Sequence, residues 1–559
     1  MRTPFKIFAL TLTVVLFLRT ENSLAQTTTW QWAKSAGSTG YEATLGTATD
    51  NSGNLYVVGW YSSATITFGS ITLTNPGVGT GDVFVVKFDG GGNPLWAKTF
   101  GGSDGDVGNG IAVDALGNVY ITGSFASSTI SFGTSTLTNA GAGNDVFIVK
   151  LNSSGTEVWA KSAGGSSSDR GYGITVDPSG NVFTTGAFMS TTINFGTGAL
   201  TNASATNDFF IAKHDSNGNA LWAHNAGGTN ADTGFSIASD SLGNAYATGA
   251  FASASIDFGI GALTNSTTGT QDIFVVKYDG LGNAVWSSRT GGSLDDAANG
   301  IAVKKNCVYI TGGFSSASIT FSATTLNNNS AGTSDVFLAK YDLGGNSLWA
   351  NRAGDADAEA GNSVAIDESG NTFITGFFIS SSISFGGNTL TNSGAGYRDL
   401  FVTAYSAVGN VAWAKTATAG TFDEVGNAIA VNSSGIYVGG MFNSSMVSFD
   451  ANTVFKGCGD DVFVAKLLGT VSGVKEEYVE NAPLVYPNPN EGNFTIEAEG
   501  QIIIYNSVGE IVLTEKSYNL PTGQADKTNF NLSSQAKGVY FYRVINEKKG
   551  VYTGRVIIK

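Results

Sequence analysis

An all-β fold is predicted for this chain: a seven-bladed β-propeller followed by a small C-terminal β-sandwich. Three repeated markers predict it. Tryptophan recurs at Trp32, Trp96, Trp159, Trp222, Trp286, Trp349 and Trp413, at intervals of 63 or 64 residues. An Asp-x-Phe unit keeps the same rhythm at Asp82, Asp145, Asp208, Asp272, Asp335, Asp399 and Asp461. A strand resembling Val-Tyr-Ile-Thr-Gly-x-Phe places Gly59, Gly123, Gly186, Gly249, Gly312, Gly376 and Gly440 in step with both. A period of this size built from short strands suits blades arranged about an axis. No unit shows the 3.6-residue apolar spacing of a helical solenoid.

Composition agrees and excludes several classes. Of 559 residues 42% are apolar, 13% are charged and 75 are glycine, about half the charge and twice the glycine of an ordinary domain. That apolar content rules out a disordered chain, and the glycines lack the Gly-X-Y period of collagen. A net charge of −15 with 29 Lys+Arg leaves no basic footprint for nucleic acid.

Taken in order, residues 1–25 read as an export signal. Arg2 and Lys6 form the positive start, an apolar run covers residues 7–18, and Ser23-Leu24-Ala25 offers small residues for cleavage. The run is too short to span a bilayer, and no other stretch approaches the length of a transmembrane segment. Two cysteines, Cys307 and Cys458, allow one bridge at most. His214 and His224, flanking one hairpin, are expected as surface residues rather than a zinc site.

Residues 26–470 are expected to form the propeller. In its second unit residues 110–114 are a first strand, Asp114-Ala-Leu-Gly-Asn118 a hairpin turn and Val119–Phe125 the returning strand. After an insertion, Asp145–Leu151 is the third strand, Asn152-Ser-Ser-Gly155 a turn and Glu157–Ala163 the fourth. The first unit begins with its last strand near Trp32, and the seventh stops after the strand at Asp461. Pairing those two strands in one blade closes the ring and removes exposed edges. The repeated tryptophans are read as packing between blades.

These units resemble the bacterial seven-bladed beta-propeller repeat family, most clearly over Gly101 to Gly123 (GGSDGDVGNGIAVDALGNVYITG). The resemblance covers about four fifths of the chain and implies the fold but hardly the function, since propellers host both binding and catalysis. Blade five departs, with Lys304-Lys-Asn-Cys307 in place of the Asp-x-x-Gly-Asn turn.

Residues 471–483 read as a polar linker, and residues 484–559 as the sandwich, with strands at 494–498, 501–506, 510–514, 538–545 and 554–558. The module is similar to the type A C-terminal sorting domain of the type IX secretion system. The matching residues are Tyr486, Pro487, Asn488, Pro489, Gly492 and Phe494, then the segment 504–509 ending in Gly509, Gly538 and Tyr540, and a terminal segment 554–559 ending in Lys559. The resemblance implies the type IX machinery as a partner. It also implies a protein released from, or attached to, the outer surface of a Gram-negative bacterium.

Two sets of residues are candidates for function. The loops entering the innermost strands each carry one carboxylate: Glu42, Asp106, Asp169, Asp232, Asp296, Glu359 and Glu424. They form either a ring around the channel mouth able to hold calcium, or seven caps of their own Gly-rich loops. The second set breaks the symmetry. The residue after the repeated strand-two glycine is Ser, Ala, Ala and Gly in blades two to five but Phe377, Met441 and Trp60 in blades six, seven and one. Tyr41, Tyr61, Tyr397 and Arg398 fall in the same sector. This is either an aromatic patch for sugars or a protein loop, or asymmetric packing at the closure seam. The favoured reading is a non-enzymatic, surface-delivered module binding a carbohydrate or protein partner. The alternatives are an exported polysaccharide hydrolase or lyase using the ring carboxylates, and a purely structural surface-layer role.

Overall fold

The computed structural model describes residues 28–394, 396–469, 471, 484–486, 491–497, 500–506, 511–517, 527–546 and 550–558. The expected export signal, residues 472–483 of the linker, Pro487, Asn488, Pro489, Gly509 and Lys559 lie outside the described residues. The chain separates into two compact units, Met1–Gly473 and Val474–Lys559, and the described residues contain strands and no helix.

The first unit holds seven four-stranded antiparallel sheets. Their innermost strands are Glu42–Thr49, Asp106–Val113, Asp169–Val176, Asp232–Ser239, Asp296–Lys304, Glu359–Ile366 and Glu424–Asn432. Each adjoins the next, and the seventh adjoins the first, so the ring is closed. Closure uses both ends of the repeat. Thr29–Ala36 is the outermost strand of blade seven and pairs antiparallel with Asp461–Leu468, Thr29 opposite Leu468 and Ala36 opposite Val462.

Local chemistry fixes each blade. In blade two the turn is a carboxylate cage: Asp114 Oδ1 accepts the N–H groups of Leu116 and Asn118, and Oδ2 accepts the Asn118 amide and the Tyr120 hydroxyl. Gly117 supplies the φ of +79° that completes it. The first strand starts at Asp106, four residues earlier than the alternation suggests, because a bulge at Gly108/Gly110 interrupts the period of two. The bulged Asn109 donates its side-chain amide to Gly171 O of the next blade, 2.8 Å away.

The tryptophans staple blades together, with a partner that periodicity did not reveal. Trp159 and Lys150, cross-strand neighbours, both donate to Ser216 O of the next blade, at 3.1 and 3.2 Å. The Trp159 ring lies on Gly218, whose φ is +82° and where a Cβ would stand 2.8 Å from the ring. Lys213 and Trp222 converge likewise on Gly280 O, Lys277 and Trp286 on Leu343 O, and Lys466 and Trp32 on Gly90 O. Each lysine ammonium also sits over a second-strand ring, as Lys150 Nζ lies 5.1 Å from the Tyr120 centroid. The histidines are not surface residues as expected. His214 is buried, and desolvation drives its pKa down to about 4. His224 stacks on Tyr278 of the next blade, 5.6 Å between centroids. Cys307 is buried in blade five and Cys458 is exposed in blade seven.

In the second unit Leu484–Tyr486, Asn493–Glu497 and Lys527–Asn531 form one antiparallel sheet. Ile511–Ser517, Gly500–Tyr505, Gly538–Asn546 and Gly550–Ile558 form a second. A shared core containing Phe494, Ile504, Phe530, Tyr540 and Val556 makes them a sandwich. Leu484–Tyr486 and Lys527–Asn531 are strands beyond the five expected.

Candidate functional site

The seven carboxylates that open the innermost strands do not ring an open mouth. Each is at most 1% exposed and is turned onto the residues that follow the second strand of its own blade. Asp106 is representative: Oδ1 accepts the N–H groups of Ala126 and Ser127, and Oδ2 accepts the Ser127 hydroxyl at 2.8 Å. Asp169, Asp232 and Asp296 hold Ser190, Ser253 and Ser316 in the same way. Glu42 accepts the Ser63 hydroxyl, while Glu359 and Glu424 accept the N–H groups of Ser380 and Ser444. Of the two arrangements expected for these carboxylates the geometry matches the caps, since their oxygens accept backbone and serine donors, Glu42 Oε2 and Glu424 Oε2 excepted. Among the described residues no group of three or more His, Cys, Asp or Glu is placed to hold a metal ion. The carboxylates that the hydrolase alternative invoked are the same seven, none of them more than 1% exposed.

A second buried carboxylate lies beside each of these, from the Asp-x-Phe unit of the preceding blade: Asp461 beside Glu42, Asp82 beside Asp106, and so on to Asp399 beside Glu424. Asp82 Oδ2 accepts the Gly77 N–H, and Asp399 Oδ2 accepts the Ser393 N–H. The Oδ1 of all seven of these aspartates is buried without a hydrogen-bond partner. Burial first, and the neighbouring carboxylate next among the raising causes, push Glu424 up to about 8 and Glu42 and Glu359 to about 7. Asp106, Asp145 and Asp208 are raised to about 6 for the same reasons. A pair holding one proton satisfies the orphaned oxygen and avoids two adjacent buried charges. This arrangement supports the ring; it offers no accessible group for chemistry.

The symmetry-breaking residues divide. Tyr61 is fully buried, its hydroxyl donating to Thr99 Oγ1 at 2.9 Å, so it leaves the candidate surface. It occupies the place held by the repeated Phe125, and the repeat alone marks it as core. Trp60, Phe377 and Met441 are half-buried. Arg398 lies 4.8 Å above the Phe377 ring. Tyr397 is 41% exposed and packs at 5.4 Å, tilted 59°, against Phe422, a residue sequence reasoning missed. Lys456 sits 5.9 Å from the Phe422 ring. Tyr41 is exposed on the loop entering blade one, which is tied to blade seven through Glu42 N to Asp460 O and Cys458 N to Ser38 O.

Blade seven adds an apolar pair. Every blade carries a two-stranded hairpin in its insertion, and six place a polar cross-strand pair at one position, such as Thr65 with Thr74, Thr129 with Thr138 and Ser382 with Thr391. In blade seven that pair is Met446 with Phe455, both exposed. Among the described propeller residues, the exposed aromatics are Tyr41, Tyr397, Phe422 and Phe455, all around this seam. Aligning the insertions blade by blade would have found Phe455, because the six other repeats place Thr or Asn there. Phe422 was legible in the same way, two positions before Glu424, where the other blades place Gly40, Asp104, Ser167, Asn230, Leu294 and Asp357.

In the C-terminal sandwich the motif residues that are described are structural. Gly492 has φ +100°, a Cβ there would meet the Ser533 backbone at 2.5 Å, and its carbonyl accepts the Leu532 N–H. Gly538 opens the strand Gly538–Asn546. Tyr540 is buried and donates its hydroxyl to Ala536 O.

Comparison with known proteins agrees with this division of the chain. A family model described as a secretion system C-terminal sorting domain matches residues 484–559, and a beta-propeller repeat model matches residues 95–124 and 158–195. An uncharacterized WD repeat-containing protein of Acanthamoeba polyphaga mimivirus is 24% identical over 507 residues, 75% of this chain and 36% of that one. The regulatory protein FlaEY of Caulobacter vibrioides is 25% identical over 283 residues, 46% of this chain and 28% of that one. The chain thus spans about a third of the length of these relatives. Among solved structures, the WD40 repeats of RRP9 give a TM-score of 0.41 at 9% identity, over 79% of this chain and 99% of that one. The phage phi92 endosialidase gives 0.34 at 11% identity, over 96% and 87%.

Proposed function

We propose that this secreted β-propeller, delivered by a type IX sorting domain, is a binding module that docks a protein partner on the seam between blades six, seven and one. The observation that carries the reading is the confinement of all four exposed propeller aromatics to that seam, together with the Met446–Phe455 pair. Tyr, Phe, Met and Arg are the residues enriched where protein surfaces meet, and a cluster of them can supply most of an interface's energy. The 59° tilt between Tyr397 and Phe422 favours a protein surface over a sugar, because the two rings offer no common plane for stacking. The insertions and the entering loops carry this cluster on a rigid scaffold, where loops commonly carry recognition.

The test is retention on the outer surface of cells of the producing species. Wild-type protein should bind intact and periodate-treated cells but not cells shaved with trypsin. A Tyr397→Ala/Phe422→Ala double variant, folded as judged by circular dichroism, should lose at least tenfold. Binding abolished by periodate and spared by trypsin would make the ligand a carbohydrate. A double variant that binds like wild type would remove the seam as the site.

A further inference from the structure

The geometry points to a second binding site, for a carboxylate-bearing saccharide of one or two rings, at the end of the channel opposite the buried carboxylates. A cavity of about 470 Å³ opens there, at the ends of the innermost strands of blades two to five. That volume lies within the ~300–1,000 Å³ typical of small-ligand pockets. At this end of the channel blade five breaks the repeat. Its neighbours on this side of the ring turn through five-residue Asp cages, whereas blade five turns through Lys305 and Asn306 alone, with Lys304 paired directly to Cys307. Both turn residues take positive φ, 52° and 57°. Both of these turn residues line the opening.

The chemistry of the lining selects the ligand. Val113, Val176 and Val303 give an apolar face that suits the C–H side of a sugar ring. The acids on the far wall are spent as acceptors. Asp114 and Asp240 each receive four donors from their own turn, and Asp177 receives three. The donors of blade five are not spent alike. Lys304 is held by Glu368 at 2.7 Å; Lys305 is exposed and feels the same Glu368 charge, but makes no hydrogen bond or ion pair within contact distance among the described residues. The Asn306 amide and the Ser241 hydroxyl, both exposed, complete a donor edge. A ligand that fits must therefore bring acceptors, and a carboxylate is the acceptor that Lys305 holds most strongly.

Digalacturonate is a suitable probe, titrated calorimetrically into the full secreted chain, with the uncharged galactobiose as its control. Digalacturonate should bind and galactobiose should bind about tenfold more weakly or not at all. Lys305→Gly, which keeps the turn because glycine accepts positive φ, should weaken the acid about tenfold. Tyr397→Ala, on the other face, should leave binding unchanged, so that loss of the seam reading would not touch this one. No heat with digalacturonate up to tens of millimolar, equal affinity for the neutral sugar, or undiminished binding by Lys305→Gly would each overturn the proposal.

Discussion

Replacing Glu424 by glutamine should make the propeller less sensitive to alkali without weakening it in acid. In the folded chain burial and the neighbouring Asp399 hold the Glu424 carboxyl at about 8, against 4.5 for an ordinary glutamate. Between those values the folded state keeps a proton that the unfolded state has lost, so stability falls as pH rises, by ~1.4 kcal/mol per pH unit for each such group. From pH 5 to pH 8 Glu424 alone should therefore cost about 3 kcal/mol. Its full contribution is present below pH 4.5 and gone above pH 8. For a ring running from residue 29 to residue 468, that amount corresponds to a drop of roughly 3 °C in Tm. Glutamine reproduces the neutral form and keeps an acceptor for the Ser444 N–H. Calorimetric Tm measured at matched scan rates from pH 5 to 8.5 should show wild type declining and Glu424→Gln declining less, by about that margin. Glu42 and Glu359 push in the same direction, while the depressed pKa of His214 opposes them below pH 6.5. Parallel profiles for the two proteins, or a wild-type Tm that rises from pH 5 to 8, would refute the shared-proton argument.

Three further outcomes follow from the packing. Gly218→Ala puts a Cβ against the Trp159 ring at a φ of +82° and should cost about 2–3 kcal/mol, read as a lowered Tm. Tyr120→Phe removes the 3.0 Å hydrogen bond to Asp114 and should cost about 1 kcal/mol, seen in urea unfolding. A variant lacking residues 29–36 leaves the Asp461–Leu468 edge bare and should elute as oligomers in size-exclusion chromatography where the intact chain does not.

Much of the fold was legible because seven copies of one unit repeat every error and every signal alike. Period, blade number and the closing pair all followed from Trp32, Asp461 and their intervals. The strand starting at Asp106 was shortened because a bulge breaks alternation without changing composition. The carboxylates were visible but their direction was not. A sequence places Asp106 at a loop and cannot say whether its oxygens face the channel or Ser127. Lys150 escaped notice because its partner, Ser216 O, is a backbone atom 66 residues away. The seam was legible at Tyr397 and Arg398, yet Tyr61 was misplaced by weighing its aromatic character over its place in the repeat.

The closing pair has a mechanical corollary. Thr29 lies opposite Leu468, so the chain enters and leaves blade seven side by side, at the same end of two antiparallel strands. A pull applied between those two points loads the ladder as a zipper, one rung after another, instead of shearing all rungs together. The ring, stapled at four of its seams by paired lysine and tryptophan donors, would thus yield at low force to tension between its own ends.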